Sequence, residues 1–362
     1  MAFSAPHFED RQEILSLTSL RFFAALVVVL SHIAPRYPFP DLAQRLFHNG
    51  YAAVSFFFVL SGFVLVYAYA QGDDGAMRTS KFQFWLSRIG RIAPAYYLSF
   101  AIIAPIFLYS IFVSHMVTVT EAVQDAVSSS FFLQALMPPF YDVWNPPAWS
   151  LSVEAVFYVA FPFLIGPCFR LPLRGAVICG LLSVGAVAAA RFIYFWDAGG
   201  LRGVFSYDFP LFHFPAFIVG MIAARIYLFG PKLRRWAAPA MVIAGASGVL
   251  LLRLYFSELQ SNAMLAPLFA LIICGVASRG GQLLAARPLV VLGHASYAIY
   301  ILHWPLRLWW LKFDKITALD RQWPWLDCGL YLILVIGASL LTFYLIERPA
   351  RALLLGAIRT RR

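Results

Sequence analysis

The chain has 362 residues, of which 61% are hydrophobic and 12% charged, with a formal net charge of +11 and a mean hydropathy of +0.75. That composition excludes an ordinary soluble domain and leaves an all-α polytopic membrane protein, because each spanning helix needs about 20 apolar residues and lipid leaves no partner for an unpaired backbone. The positive balance matches basic loops and an Arg-rich C-terminal tail, which reads as an anionic-lipid anchor rather than a nucleic-acid site; no nucleic acid is expected as a partner.

Ten segments qualify as spans, near residues 14–34, 51–70, 92–113, 149–169, 174–194, 209–229, 236–256, 261–278, 288–311 and 326–347. The first, Ile14 to Ala34, carries both Arg21 and His32. At about 1.5 Å and 100° per residue they share a face, about 16 Å apart along the axis. Such intramembrane ionisable groups point to a functional path. No small-x-small cleavage site follows in Ser31 to Tyr37, so this segment is expected to be retained rather than removed as a leader. In the second segment Ser61-Gly62 offers close backbone approach to a ligand. Arg88 and Arg91 stand at i and i+3 just before Pro94, which is expected to open the third helix.

The connection 114–148 carries no Lys or Arg. Its 117–137 stretch is semi-apolar and is followed by Pro138, Pro139, Pro146 and Pro147, so it reads as interfacial or re-entrant rather than as an eleventh span. The fourth helix begins at Trp149-Ser150 and places Glu154 about 7 Å deeper. In the ninth, Ser296, Tyr300 and His303 fall on one face. The cysteines Cys168, Cys179, Cys274 and Cys328 lack the spacing of a disulfide or metal framework and read as buried small apolar residues. No metal site is expected.

Orientation follows the positive-inside bias. With the N-terminus inside, eighteen Lys and Arg fall on the cytoplasmic side and nine on the other. Ten helices with both termini cytoplasmic is therefore the predicted topology, with a cytoplasmic tail over 1–13, a transmembrane domain over 14–350 and a basic cytoplasmic tail over 351–362.

On that topology His32, Glu154 and His303 reach one depth near the outer face. A histidine beside a carboxylate there suits a general base. Arg88 and Arg91, extended inward by Arg21, suit a phosphate clamp at the inner face. A long ligand with cytoplasmic phosphates and a reactive tip about 16 Å away fits both, and acyl-coenzyme A is such a molecule. Arg191, His213 and Arg253 fall toward the outer side, as anchors or as part of an acceptor site.

At these residues the chain resembles the bacterial membrane acyltransferase-3 family of integral membrane O-acyltransferases. The resemblance runs from Leu20-Arg21-Phe22-Phe23-Ala24-Ala25 through Ser31-His32, then Phe56 to Phe63, Arg88-Ile89-Gly90-Arg91 to Tyr96, and Trp149-Ser150-Leu151-Ser152-Val153-Glu154. It continues through Ser296-Tyr297, Tyr300 and His303-Trp304-Pro305 to Ile346-Glu347-Arg348-Pro349. It implies transfer of an acyl group, usually acetyl, from acetyl-CoA or another acyl-CoA as co-substrate to a hydroxyl of a glycan or lipid-linked oligosaccharide, in the bacterial inner membrane. His32 corresponds to the essential histidine, Arg21 to its partner, and Arg88 and Arg91 to the pair associated with coenzyme A phosphates.

Catalytic roles are thus expected of His32, Glu154 and Arg21, donor binding of Arg88, Arg91, Ser61 and Gly62, and substrate binding of Trp149, Ser150, Tyr300 and His303. Ala155 follows Glu154 where many members have a second carboxylate. No esterase-like domain follows residue 350, which implies action alone or with a separate extracytoplasmic partner. Direct transfer and an acyl-histidine intermediate both stay open. The alternative class is a secondary transporter or exporter, which also uses intramembrane Arg, His and Glu. The sequence shows no inverted repeat in its support.

Overall fold

A computed structural model describes residues 11–47, 50–137, 144–196, 209–231, 234, 236–255, 262–278 and 283–359. The predicted N-terminal tail up to Asp10, Pro138, Pro139 and the side chain of Arg191 lie outside the described residues. Among the described residues seven helices are long and apolar enough to span a membrane, or eight if one bent pair counts as a span. Two further apolar helices, Phe214–Phe229 and Ala263–Ser278, are shorter.

The helices are α1 (Leu15–Ile33), α2 (Asp41–Phe47), α3 (Gly50–Tyr69), α4 (Lys81–Phe112), α5 (Val119–Ser130), α6 (Trp149–Arg170), α7 (Leu173–Trp196), α8 (Phe214–Phe229), α9 (Ala237–Tyr255), α10 (Ala266–Ser278), α11 (Arg287–His294), α12 (Ser296–Thr317), α13 (Leu319–Gln322), α14 (Pro324–Thr342) and α15 (Arg348–Arg359), the last two joined by a π-helical turn at Phe343–Glu347. A two-residue antiparallel ladder pairs Ala70–Gln71 with Ala76–Met77. Every predicted span coincides with a helix, with two substantive differences.

The third span does not open at Pro94. Helix α4 begins at Lys81, where the Ser80 hydroxyl accepts from the Gln83 N–H, and it contains Pro94 and Pro105. It is 32 residues long, about 48 Å at helical rise, so Arg88 and Arg91 sit within the helix rather than ahead of it. The ninth span is broken, α11 and α12 meeting at 59° around Ala295. Gly293, just before the break, lies against the Thr18 carbonyl of α1, where a side chain would collide.

Prolines inside spanning helices free a carbonyl one turn back, which lipid cannot satisfy. Side chains fill two such places. Pro162 frees the Tyr158 carbonyl, which accepts from Trp85 Nε1 at 3.0 Å, and Pro305 frees that of Ile301, which accepts from Asn145 Nδ2 at 3.3 Å. Asn145 belongs to the long connection, whose described part is α5 and two 3₁₀ turns. It is stitched down by Tyr96 Oη donating to Ser129 O and by Gln134 Nε2 donating to Tyr96 Oη and Ala148 O. The Thr118 and Glu121 capping box starts α5. This connection therefore fixes where α6 starts.

Helix α3 is central: 61% of its apolar window is buried, against 11% for α9 and 17% for α7. It crosses α8 at Gly62 and Gly220, each of which packs against the other helix's backbone, as small residues do where membrane helices meet closely. Peripheral α7 leaves Cys179 exposed, and Cys168 is half-buried, so only Cys274 and Cys328 are buried as expected. A second core joins Phe22, Ala25 and Val29 of α1 to Ile299 of α12 and Tyr331 and Val335 of α14. It holds α1 and α12 side by side.

Replacing Gly220 by Val is expected to separate α3 from α8 at a cost of about 1–3 kcal/mol or more. Thermal unfolding of the detergent-solubilised protein would show it as a lowered midpoint, and Gly62→Ala should show the same in weaker form. An unchanged midpoint in both would contradict the crossing.

Candidate active site

A channel runs between α1, α3, α4, α6 and α12. Its wall carries Arg21, Arg88 and Arg91 together with Ser61, Glu154, Tyr158 and Tyr297, and it extends to Phe57, Ser150 and Tyr300. Its volume is about 100 Å³, against the roughly 10–15 Å³ that admits one water.

The basic end is built by α4. Arg88 donates from Nη2 to Tyr69 Oη at 2.9 Å, and its guanidinium lies 5.3 Å from the Tyr69 ring and 6.0 Å from those of Phe84 and Tyr158. Its Nε is buried without a partner. Arg91 follows one turn later on the same face, and Arg21 reaches the same wall from α1. Opposite them is Glu154, whose Oε1 accepts from Tyr158 Oη at 2.5 Å and from Ser61 Oγ at 3.3 Å. Three guanidinium groups and one carboxylate leave this wall positive, as a site for a polyanion requires.

The same wall carries a second polar group. Ser150 Oγ and Tyr300 Oη are 2.6 Å apart and each lies 3.0 Å from the Pro147 carbonyl, so that one hydroxyl donates to the carbonyl and the other donates to its neighbour. One helical turn on from Tyr300 stands His303, fully buried. Its ring stacks on that of His32, centroids 5.0 Å apart, with Trp304 edge-on to His32 at 5.4 Å.

The hydrogen bonds of the pair fix its tautomers. A carbonyl only accepts, so His303 Nδ1 donates to Tyr300 O at 2.5 Å. In the neutral ring Nε2 is then the acceptor, and it faces His32 Nδ1 at 3.0 Å. His32 Nδ1 also faces Val28 O at 3.0 Å, so its N–H is shared between the carbonyl and His303. The assignment rests on hydrogen-bond logic and leaves His32 Nε2 as the basic atom. Tyr331 Oη donates to the His303 carbonyl at 2.8 Å, holding that turn from α14.

The expected meeting of His32, Glu154 and His303 is thus made by the two histidines only. Glu154 takes its hydrogen bonds from Ser61 and Tyr158 and lines the same channel as the arginines, because a depth count along α6 does not say which neighbouring helix the side chain faces. Trp149 does not line the channel. It is buried among Tyr51, Phe58 and His213, which also accounts for His213. Gly62 faces α8 rather than the channel, so its missing side chain serves helix contact and not ligand approach. Ser61, Ser150 and Tyr300 do line the channel. Tyr158, Tyr297 and Tyr69 were not singled out as site residues from sequence. Two of them had a signal there: Tyr158 stands one turn from Glu154 on the same face, and Tyr297 belongs to the Ser296-Tyr297 motif of the resemblance.

A family model for the acyltransferase domain called acyltransferase 3 matches residues 14–345. Among curated proteins the chain is 27% identical to the acyltransferase MdmB of Streptomyces mycarofaciens, covering 94% of this chain and 92% of that one. It is 30% identical to the exopolysaccharide production protein ExoZ of Rhizobium meliloti over 72% of this chain and 78% of that one. To the O-acetyltransferase OatA of Staphylococcus aureus it is 23% identical over 92% of this chain, which spans 57% of OatA. No solved structure matches the chain.

Glu154→Ala is expected to strand the hydroxyls of Ser61 and Tyr158 at a cost of about 1–3 kcal/mol, read as a lower unfolding midpoint. Glu154→Gln keeps an acceptor oxygen and should lose less. Equal losses would mean that these hydrogen bonds are not what Glu154 contributes to stability.

Proposed function

This chain belongs to the acyltransferase 3 family and is a membrane acyltransferase, and from that premise we propose that it is an O-acyltransferase of the bacterial inner membrane. Its donor is acyl-coenzyme A, acetyl-CoA first among them, taken from the cytoplasm. Its acceptor is a hydroxyl of a cell-surface or exported glycan, free or lipid-linked. The name of OatA as an O-acetyltransferase and of ExoZ as an exopolysaccharide production protein support the choice of group and acceptor. The observation that carries the reading is a channel leading from three arginines to within one helical turn of a tautomer-ordered histidine pair.

Coenzyme A phosphates rest on Arg88 and Arg91, with Arg21 farther in, and the extended arm lies along the channel past Ser61 and Tyr300. The thioester carbonyl then stands beside His32. Nε2 of His32 takes the proton of the acceptor hydroxyl as its oxygen attacks the carbonyl carbon. The C–S bond of the tetrahedral species breaks, and the thiolate leaves with the proton held by His32, giving the ester and free coenzyme A. His303 positions the base: its Nε2 lone pair faces His32 Nδ1–H and strengthens that hydrogen bond as His32 becomes positive. Glu154 balances charge among the arginines rather than orienting the imidazole.

Coenzyme A thiol release from acetyl-CoA and bacterial envelope glycans, by protein in nanodiscs, tests this. His32→Ala is expected to lower the rate by about 10² to 10⁴. Arg88→Ala with Arg91→Ala should raise KM for acetyl-CoA about tenfold or more with a smaller change in kcat. Glycan-dependent release surviving His32→Ala, or an arginine pair whose loss leaves KM unchanged, would overturn the assignment.

A further inference from the structure

A larger cavity of about 670 Å³ lies on the other side of the histidine pair. Helix α12 connects the two. Tyr300 lines the channel, His303 and Trp304 make the histidine pair and its edge contact, and Arg307 lines the second cavity. These are successive turns of one face, about 10 Å from first to last at helical rise. The Arg307 guanidinium sits 5.0 Å from the Trp304 ring centroid, so one indole touches both His32 and the cation that enters the cavity.

The charge of this cavity is unbalanced. Its two carboxylates are both taken by one residue: Arg36 Nη2 bridges Asp314 at 2.8 Å and Asp320 at 2.7 Å. Neighbouring Asp327 is also occupied, accepting from Tyr37 Oη at 2.5 Å and Trp310 Nε1 at 2.9 Å. Arg307, Lys312, Lys315 and Arg321 line the same cavity, and among the described residues none of them is in a salt bridge. Half-buried Arg307 is nearest the histidines, and the lysines are exposed farther out. Cations that make ring contacts at Trp304 and Tyr109 but no salt bridge among the described residues, graded from a half-buried guanidinium to exposed ammonium groups, favour an anionic ligand and raise its local concentration.

We propose that this cavity is the acceptor site and that the acceptor is an acidic glycan, whose carboxylate or phosphate is held by Arg307 with Lys312 and Lys315 while a hydroxyl reaches His32. The proposal rests on acyl transfer at His32 and adds the class of acceptor. Arg307 is a specificity residue here: it touches the acceptor's charge and leaves the donor channel alone. A phosphate of bilayer lipid is the other source of the same chemistry.

The test is binding, which does not require turnover. Oligogalacturonate and its carboxyl-reduced neutral counterpart are titrated into the full-length protein in phosphatidylcholine nanodiscs. The acidic chain is expected to bind about tenfold or more tighter than the neutral one, the range of a charge-assisted hydrogen bond. The preference should be lost in Arg307→Gln with Lys312→Gln, persist in Arg307→Lys, and be unaffected by His32→Ala. Retained acetyl-CoA binding shows that the variants fold. Equal binding of the two oligosaccharides, or a preference surviving the double substitution, would overturn the proposal. So would its abolition when phosphatidylglycerol is added, which would assign the cations to lipid. Because His32→Ala separates binding from turnover, a failed acyl-transfer reading would appear as acidic binding without coenzyme A release.

Discussion

The hydrogen bond between His303 and His32 joins two helices that approach from opposite ends of the sequence, and most of the site depends on it. Two neutral imidazoles facing each other pair only in one tautomeric order, and that order is set by the Tyr300 carbonyl. The Tyr300 turn is in turn held by Ser150 of α6 and Pro147 of the long connection, and the next turn by Tyr331 of α14. Five segments, α1 and α12 among them, therefore converge to point one lone pair. Buried polar networks are costly when half-satisfied and specific when complete; this one is complete at every ring nitrogen except the atom that would act as base.

Proline supplies the means. Pro305 removes the N–H that would have bonded Ile301, and Asn145 takes that carbonyl, so the connection before α6 docks on α12 next to the histidine turn. Pro162 does the same for Tyr158, whose carbonyl accepts from Trp85 while its hydroxyl bonds Glu154. A helix broken locally in lipid must find donors from elsewhere in the fold, and both donors found here tie the channel wall together.

The apolar helices were legible because lipid demands long apolar runs, although among the described residues seven or eight of the ten expected spans are long enough to cross a membrane. The ends were not. Lys81 to Arg91 is too polar to read as membrane helix, yet Ser80 caps it and it continues through Pro94, since a single lost hydrogen bond is tolerated where packing holds both sides. The break at Ala295 depends on Gly293 meeting the backbone of Thr18, a long-range contact with no local signature. Arg21, Arg88, Arg91, Ser150 and Tyr300, singled out from spacing and family resemblance, line one channel, and His32 meets His303 beyond it. Glu154 was legible as a site residue but not in its partners, because axial depth gives no information on which helix faces which. Gly62 packs against α8 and Trp149 against Tyr51, Phe58 and His213, and a glycine that admits a ligand and one that admits a neighbouring helix look alike in sequence, as do an aromatic that stacks on substrate and one that packs in a core.

If His303 acts only by orienting His32, the two residues form one catalytic unit, and effects within a unit do not add. The decisive measurement is a double-mutant cycle on coenzyme A release with His32→Ala, His303→Ala and the pair. The tautomer chain predicts that removing His303 lowers the wild-type rate strongly but lowers the His32→Ala rate no further. Losses that multiply would contradict it and give His303 a separate role.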